Sequence, residues 1–192
     1  MPAVKFDSIA RFMPSTTHFD QAEKDEIASM FKTQSLNKNE NLLIRGCHVY
    51  TIACVTRGIL YRYNSDKNGK LHIDQFICND QFFTECKCYK NSLPSCFNVI
   101  AATYCEILTI STANMEALRK ANPKYDRLIH EIISNVMQGR KDMDEMFLQG
   151  SKAERVIWFN NYYKQWLPYI KKELIATYLQ MSRSEYYLIL NL

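Results

Sequence analysis

The amino-acid sequence predicts an α+β protein in which an antiparallel all-β unit is followed by a long helix and a small helical domain. Short apolar runs separated by turn sequences fill the first part of the chain, and helical periodicity takes over after Ser111. The chain has 192 residues, enough for two compact units with a core each. Hydrophobic residues make up 47% and charged residues 23%, which excludes a disordered or fibrous protein.

The β unit is predicted between about residues 34 and 111. Turn sequences such as Arg57-Gly58 and Asp66–Gly69 interrupt it at intervals of about ten residues, as a sandwich or barrel requires. The strand-like runs lie at 42–44, 49–55, 59–63, 71–77 and 105–110. A short helix is predicted before them, because Asp20 and Glu23 have the spacing of an N-cap pair and apolar residues at helical spacing follow.

A narrow apolar stripe marks the long helix. From Tyr125 to Met146 apolar residues or glycine recur at alternating steps of four and three, which is the heptad pattern of a helix that pairs with one other helix. We therefore predict a homodimer. The expected dimer-interface residues are Ile129, Ile132, Val136, Gly139, Met143 and Met146. The alternative is a helix that lies on the β unit of its own chain.

A helix stop and restart is predicted at Gly150–Glu154. Glycine permits the left-handed backbone of a helix end, and Ser151 with Glu154 has the spacing of a capping box. We place a domain boundary there, which gives residues 1–121 to the β domain with its flanking helices, 122–150 to the dimerisation helix and 151–192 to the C-terminal domain. That last segment has six Lys or Arg against three Asp or Glu, so it carries +3 of the net charge of +4.

The C-terminal segment has the pattern of a helix-turn-helix. One helix is predicted over residues 170–179, with small Ala176 where a second helix can cross closely, and the second helix starts after Ser182 as N-cap. Arg183 at its first turn can donate two hydrogen bonds to guanine in a major groove. The predicted DNA-binding residues are Lys171, Lys172, Ser182, Arg183, Ser184 and Tyr187, the first three being suited to phosphates. A packing corner of two helices without DNA is the alternative.

Five segments, taken in order, resemble the CRP/FNR superfamily of bacterial transcription regulators over residues 19–190. They are Lys38–Gly46, Val55–Tyr63, Asp66–Lys70, Ser151–Arg155 and Ile175–Arg183. The resemblance implies an effector-sensing, cyclic-nucleotide-binding-type β-roll of jelly-roll-like architecture in residues 1–121. It further implies a long dimer helix and a winged helix, acting as a homodimer on palindromic DNA.

The effector pocket implied by this resemblance is altered. Thr84 replaces a glycine of the family's phosphate-binding cassette, and Ser95 stands where its arginine is expected, although Glu85 keeps the carboxylate that would accept a ribose hydroxyl. Loss of that arginine removes about 1.5 to 3 kcal/mol of binding, so cyclic AMP is not the expected effector. The expected pocket residues are Thr84, Glu85, Ser95, Cys96 and Arg140, and Lys87 and Lys90 are alternative anion-binding groups. The effector is unidentified.

The DNA-binding end departs from the family as well. Gln180 occupies a turn position where glycine is usual, at a cost of about 1 kcal/mol if the backbone there is left-handed. Ser184 and Leu188 stand where the resemblance predicts a glutamate and an arginine. Because the sequence ends at Leu192, we expect the wing to be absent or truncated. These changes should weaken affinity and specificity without removing the motif.

Cofactors and catalysis are not predicted. Seven cysteines scattered through strand-like segments are interpreted mostly as reduced core residues; for Cys86 and Cys88, flanked by lysines, oxidation or metal binding is the alternative. Residues 1–46 lack the cysteines of an iron-sulfur cluster, and the histidines have no metal-ligand spacing. No signal peptide and no membrane-spanning run of about 18 apolar residues is present, so a cytoplasmic protein is expected. No catalytic constellation is visible, so the protein is not expected to be an enzyme.

The sequence therefore favours a homodimeric, DNA-binding transcription regulator of the CRP/FNR type, controlled by an effector other than cyclic AMP. Double-stranded DNA, a second copy of the chain, a small-molecule effector and RNA polymerase are the candidate partners. The alternative is a degenerate β-roll sensor or interaction module that no longer binds DNA.

Overall fold

The structure is a computed structural model. This structure describes residues 18–85, 93–134 and 150–191, together with Ile9 and Phe147. The first helix of the described chain, α1 (Gln21–Ser29), begins at the predicted place, because Asp20 and Glu23 form a capping box there.

Eight strands in two antiparallel sheets form the β-roll of the described chain, as predicted. The strands are β1 (Phe31–Leu36), β2 (Asn41–Leu43), β3 (Thr51–Arg57), β4 (Leu60–Ser65), β5 (Leu71–Ile77), β6 (Gln81–Phe83), β7 (Asn98–Ala101) and β8 (Cys105–Ser111). The first sheet has the order β1-β8-β3-β6 and the second β2-β7-β4-β5. Most neighbouring strands are distant in sequence, as in a jelly roll, whereas β4 and β5 are consecutive and pair as a hairpin.

An apolar core fills the space between the two sheets. Alternate residues of each strand point inward, so Val55 and Ile107 of the first sheet meet Leu60, Ile77 and Val99 of the second, all fully buried. The turn between β3 and β4 depends on Gly58, whose φ is +100°. A Cβ atom at this position would lie 2.3 Å from the carbonyl oxygen of Tyr104, so only glycine fits.

Helices cover the outer face of the first sheet. They are α1, α2 (Thr112–Ala121) and the helical residues 123–134, which are the described part of the predicted dimerisation helix. Ile129 and Ile132 of this helix are each only 3% exposed, and they pack with Ile52, Leu108 and other residues of their own β-roll. This corrects the expectation that they face a second copy, because their surface is already buried within one chain. Val136, Gly139, Met143 and Met146 lie outside the described residues, so their interface role stays a prediction.

The C-terminal unit starts at α3 (Lys152–Tyr162), which Ser151 and Glu154 cap with the predicted box. A 3₁₀ turn (Leu167–Tyr169) then leads to α4 (Lys172–Tyr178) and α5 (Arg183–Leu190). Helix α4 begins two residues later than predicted, because Ile170 ends the 3₁₀ turn and Lys171 is the N-cap.

This unit packs against the outer face of β4 and β5. Phe76 of β5 is the centre of the contact: its ring lies 5.8 Å from the ring of Phe159, 5.9 Å from Tyr163 and 5.3 Å from Tyr178. The Tyr163 hydroxyl also donates a hydrogen bond of 3.5 Å to the Phe76 carbonyl. The β-roll and the helix-turn-helix therefore share one apolar core, which the sequence pattern did not predict.

The cysteine interpretation holds in part. Cys54, Cys78 and Cys105 are buried, and burial raises the pKa of the Cys78 and Cys105 thiols, which keeps both protonated. Cys47 and Cys96 are exposed, contrary to a core role. Cys86 and Cys88 lie outside the described residues. Within the described ranges, no helix is long and apolar enough to cross a membrane.

The Phe76 contact predicts that Phe76→Ala lowers the free energy of unfolding by about 3–5 kcal/mol, because a buried ring is removed and a cavity remains. Urea unfolding followed by the fluorescence of Trp158 and Trp166 measures the loss. The exposed Tyr50 provides the matched control, and Tyr50→Ala should change the same quantity by less than about 1 kcal/mol. Equal losses in the two variants would contradict the shared core.

Candidate nucleic-acid interface and effector pocket

Helices α4 and α5 form the helix-turn-helix. Ala176 is buried where α5 crosses α4, and the amide of Met181 in the turn donates to its carbonyl at 3.0 Å. Gln180 has a φ of +56°, so the left-handed backbone considered from the sequence is present on a residue with a Cβ. The turn is thus built with some strain, which the surrounding contacts hold in place.

A second capping box fixes the start of α5. The Glu185 amide donates to the Ser182 hydroxyl at 3.2 Å, and the Ser182 amide donates to the Glu185 carboxylate at 2.7 Å. Lys152 of α3 reaches the same carboxylate at 2.5 Å. The hydrogen bond from Lys152 and those from Ser182 lower the pKa of Glu185 to about 2.

All six predicted DNA-binding residues are exposed on this unit. Arg183 begins α5, its side chain is 62% exposed, and one guanidinium nitrogen lies 3.0 Å from a carboxylate oxygen of Glu173. The guanidinium carbon stands 5.5 Å from the centre of the Tyr187 ring. Arg183 is therefore accessible to a duplex, and a guanine would have to replace Glu173 as its partner. Lys171 and Lys172 lie at the start of α4.

The outer face of α5 also carries apolar surface. Leu188 is 66% exposed, and it stands where the resemblance implies an arginine. Tyr187 beside it is partly exposed. A leucine side chain has no hydrogen-bond donor, so this part of the helix offers apolar surface and not a phosphate-binding group.

The predicted pocket residues are largely engaged by their own chain. The Thr84 hydroxyl donates to the Thr51 carbonyl at 3.2 Å, and the Ser95 hydroxyl donates to the carbonyl of Phe97 at 2.9 Å. Both residues are buried, whereas Cys96 is exposed. Arg140, Lys87 and Lys90 lie outside the described residues. No group of three metal-ligating side chains occurs in the described ranges.

Glu85 is paired with a residue that the sequence analysis missed. Arg62 of β4 donates from Nη1 to the Glu85 carboxylate at 3.1 Å and from Nε to the Asp74 carboxylate at 2.7 Å, while its Nη2 contacts the second Asp74 oxygen. Arg62 is 1% exposed. The signal was present in the alternation of β4, because Arg62 follows inward-facing Leu60 by two residues and so points into the interior.

The fold is that of the CRP/FNR regulators and the cyclic nucleotide-binding domain proteins. FixK2 from Bradyrhizobium japonicum matches with a TM-score of 0.70 over 84% of this chain and 83% of that one, at 13% identity. CLP of Xanthomonas campestris, described as a c-di-GMP responsive global regulator, matches with a TM-score of 0.69 over 90% of both chains, at 13% identity. A putative CRP/FNR regulator from Eubacterium rectale matches with a TM-score of 0.68 over 94% and 86%, at 14% identity. No protein-family model and no curated protein sequence matches the chain.

The left-handed turn predicts that Gln180→Gly stabilises the protein by about 0.5–1 kcal/mol, because glycine adopts this backbone without a Cβ clash. Urea unfolding measures the gain. Gln180→Ala keeps the clash and removes only an exposed side chain, so it should give no gain. If the glycine variant is no more stable than the alanine variant, the backbone at Gln180 is not strained and the prediction is wrong.

The lowered pKa of Glu185 predicts that the capping interaction at the start of α5 weakens in acid. Because its pKa is lowered from 4.5 to about 2 in the folded state, its contribution to stability is complete above about pH 4.5 and is lost as the pH falls toward 2. We expect wild type to be more stable than Glu185→Gln at pH 7, and the difference to shrink between pH 4.5 and 2. Thermal unfolding of both proteins across this range measures it, and a constant difference would contradict the assignment.

Proposed function

We propose that the chain is a DNA-binding transcription regulator of the CRP/FNR type that acts as a homodimer and not as an enzyme. The exposed N-terminal end of α5, with Arg183 as its first residue, is the observation that carries this proposal. In helix-turn-helix proteins the N-terminal residues of the second helix contact base edges in the major groove. An arginine at that place has the donors to bind the O6 and N7 atoms of guanine.

The charges around α5 support the same role. Lys171 and Lys172 lie exposed at the start of the neighbouring helix, and the Ser182 hydroxyl caps α5 at its solvent-exposed end. Such groups bind phosphates and orient a protein on the duplex without reading sequence. The net charge of +3 in residues 151–192 favours an anionic partner.

A homodimer would present two copies of α5 to half-sites about one helical turn apart. We propose that residues 136–146 supply the contact between the copies, with Val136, Gly139, Met143 and Met146 on the shared face. The burial of Ile129 and Ile132 against the β-roll supports a division of the helix, in which its first half anchors to the chain and its second half remains for a partner.

The proposed effector is not cyclic AMP. Two structural neighbours are described as a cyclic nucleotide-binding domain and as a putative cAMP-binding regulatory protein. In this chain Ser95 bonds to its own loop and Glu85 is already paired with Arg62, so neither group is available to a phosphate or a ribose. Any effector of the pocket formed by Thr84, Glu85, Ser95, Cys96 and Arg140 would therefore be recognised by other chemistry.

A second candidate function is a β-roll interaction module that has lost DNA binding. The exposed Leu188 on α5 favours it, because an apolar side chain at this place suits a protein surface better than a phosphate. The Glu173 carboxylate beside Arg183 also offsets the charge that DNA would require.

The DNA-binding proposal predicts that Arg183→Ala weakens binding to a selected duplex by about 1–3 kcal/mol per chain, that is, by about 5- to 150-fold in affinity, because a guanine contact is lost. Duplexes are first selected with wild-type protein from a randomised library of about 40 base pairs, long enough for two half-sites. Gel-shift titration then compares the variants.

Arg45→Ala is the matched control, because it removes the same charge from an exposed position on the β-roll. It should leave affinity within about twofold of wild type, in the range of a distant surface charge. If selection enriches no duplex while the protein remains dimeric in analytical ultracentrifugation, the interaction-module candidate replaces the regulator.

A further inference from the structure

A cluster of three charged side chains reaches into the interior of the β-roll: Arg62 and Glu85 are buried, and the side chain of Asp74 is 37% exposed. Arg62 comes from β4, Asp74 from β5 and Glu85 from the residues just after β6, so the cluster links the second sheet to the first. The side chains of Arg62 and Glu85 are 2% and 6% exposed. Burial of an arginine to this degree requires that its charge and its donors are satisfied.

The strand pairing explains how Asp74 reaches the cluster. Arg62 pairs with Gln75 and Tyr63 pairs with Ile73, so the register between β4 and β5 shifts and Asp74 is the extra residue of a β-bulge. The bulge turns Asp74 inward toward Arg62, while Ile73 and Phe76 both face outward and pack in the core shared with the helix-turn-helix.

The guanidinium of Arg62 is enclosed on its edge and on one face. Asp74 accepts from Nε and Nη2, Glu85 accepts from Nη1, and the Phe97 ring centre lies 4.3 Å from the guanidinium carbon. No buried side-chain nitrogen or oxygen in the described ranges lacks a hydrogen-bond partner. Among the described residues, a ligand that takes the edge of the guanidinium would have to displace one of these carboxylates.

The cluster also opposes an anion by its charge. It holds one cation and two carboxylates, so the three groups together carry −1 when ionised. The charge of Glu85 lies in the interior, where repulsion acts more strongly than in water, whereas the partly exposed Asp74 is screened by solvent. A phosphate entering beside Glu85 would lose its hydration, meet this negative charge, and find the guanidinium already bound.

We propose that Arg62 is a resident occupant of the effector position, holding Glu85 and Asp74 in place of a bound ligand, so that the β-roll excludes anionic effectors such as cyclic nucleotides. The identification of this position as an effector site rests on the proposed function. The ion-pair cluster is independent of that function, because the experiment that tests the cluster requires no DNA. Through the bulge at Asp74, the same arginine fixes the strand on which the helix-turn-helix is packed.

Chemical rescue tests the proposal. Arg62→Ala leaves a cavity beside two carboxylates, and ethylguanidinium is the part of the arginine side chain that alanine lacks. We expect this variant to melt about 10 °C below wild type, and to regain several degrees with ethylguanidinium at about 20 mM, far below the molar range in which guanidinium unfolds proteins. Ethylammonium at the same concentration should restore less, because it cannot bind the two carboxylates with a planar fork.

The matched control is Arg57→Ala, which removes an arginine from the end of β3 whose side chain is 70% exposed. It should lose little stability and show no rescue. An Arg62→Ala variant as stable as wild type, or one that ethylguanidinium stabilises no more than it stabilises Arg57→Ala, would overturn the proposal.

Wild-type protein provides a second measurement, which stands even if Arg62→Ala does not fold. Calorimetric titration with cyclic AMP at millimolar concentration should give no binding heat, and the melting temperature should not rise. Saturable binding would overturn the resident role of Arg62. If rescue succeeds and selection yields no duplex, the DNA-binding function alone fails.

Discussion

Strand β5 is the element on which the rest of the structure depends, because it serves the interior of the β-roll and the C-terminal unit at once. Its bulge directs Asp74 inward to Arg62 and leaves Phe76 on the outer face, under three aromatic rings of the helical unit. A displacement of this strand would alter both contacts together. The pocket region and the helix-turn-helix are thus connected by the packed side chains of β5.

Local chemistry allowed much of the fold to be predicted. The capping box at Ser151 and the N-cap at Ser182 each depend on residues within a few positions of one another, so the sequence contains the whole interaction. Strand alternation likewise predicted the all-β unit, and the family resemblance implied that it is a β-roll. These features concern short-range geometry, which is determined by residue type and spacing.

The features that the sequence analysis predicted wrongly or missed are contacts between residues that are distant in sequence. The periodicity of the long helix indicated a stripe to be buried, yet it could not distinguish a second copy from the β-roll that buries Ile129 and Ile132. Arg62 lies on the second sheet and Glu85 lies 23 residues later, just after a strand of the first sheet, so no local pattern joins them. Similarly, nothing near Phe76 in the sequence indicated that the C-terminal helices cover it.

The structural neighbours share this architecture at 13–14% identity, which illustrates why fold and ligand specificity vary separately. Apolar alternation and turn residues suffice for the β-roll, whereas ligand recognition in any such fold depends on a few polar groups. We expect Thr84 and Ser95 to be the positions at which this chain departs from its neighbours. In the helix-turn-helix, Arg183 remains exposed beside Glu173, so binding of a guanine would exchange this ion pair for hydrogen bonds to a base.

The proposed regulator binds a duplex as two copies of the chain, through the basic end of the helix-turn-helix. The most direct measurement is the affinity of wild-type protein for its selected duplex between about 50 and 200 mM salt, with the number of chains per duplex determined in parallel. We expect two chains to bind each duplex. The logarithm of the affinity should fall steeply and linearly with the logarithm of the salt concentration, because counterions are released at several phosphates. Absence of binding at the lowest salt concentration, or an affinity that does not change with salt, would contradict the proposed DNA-binding function.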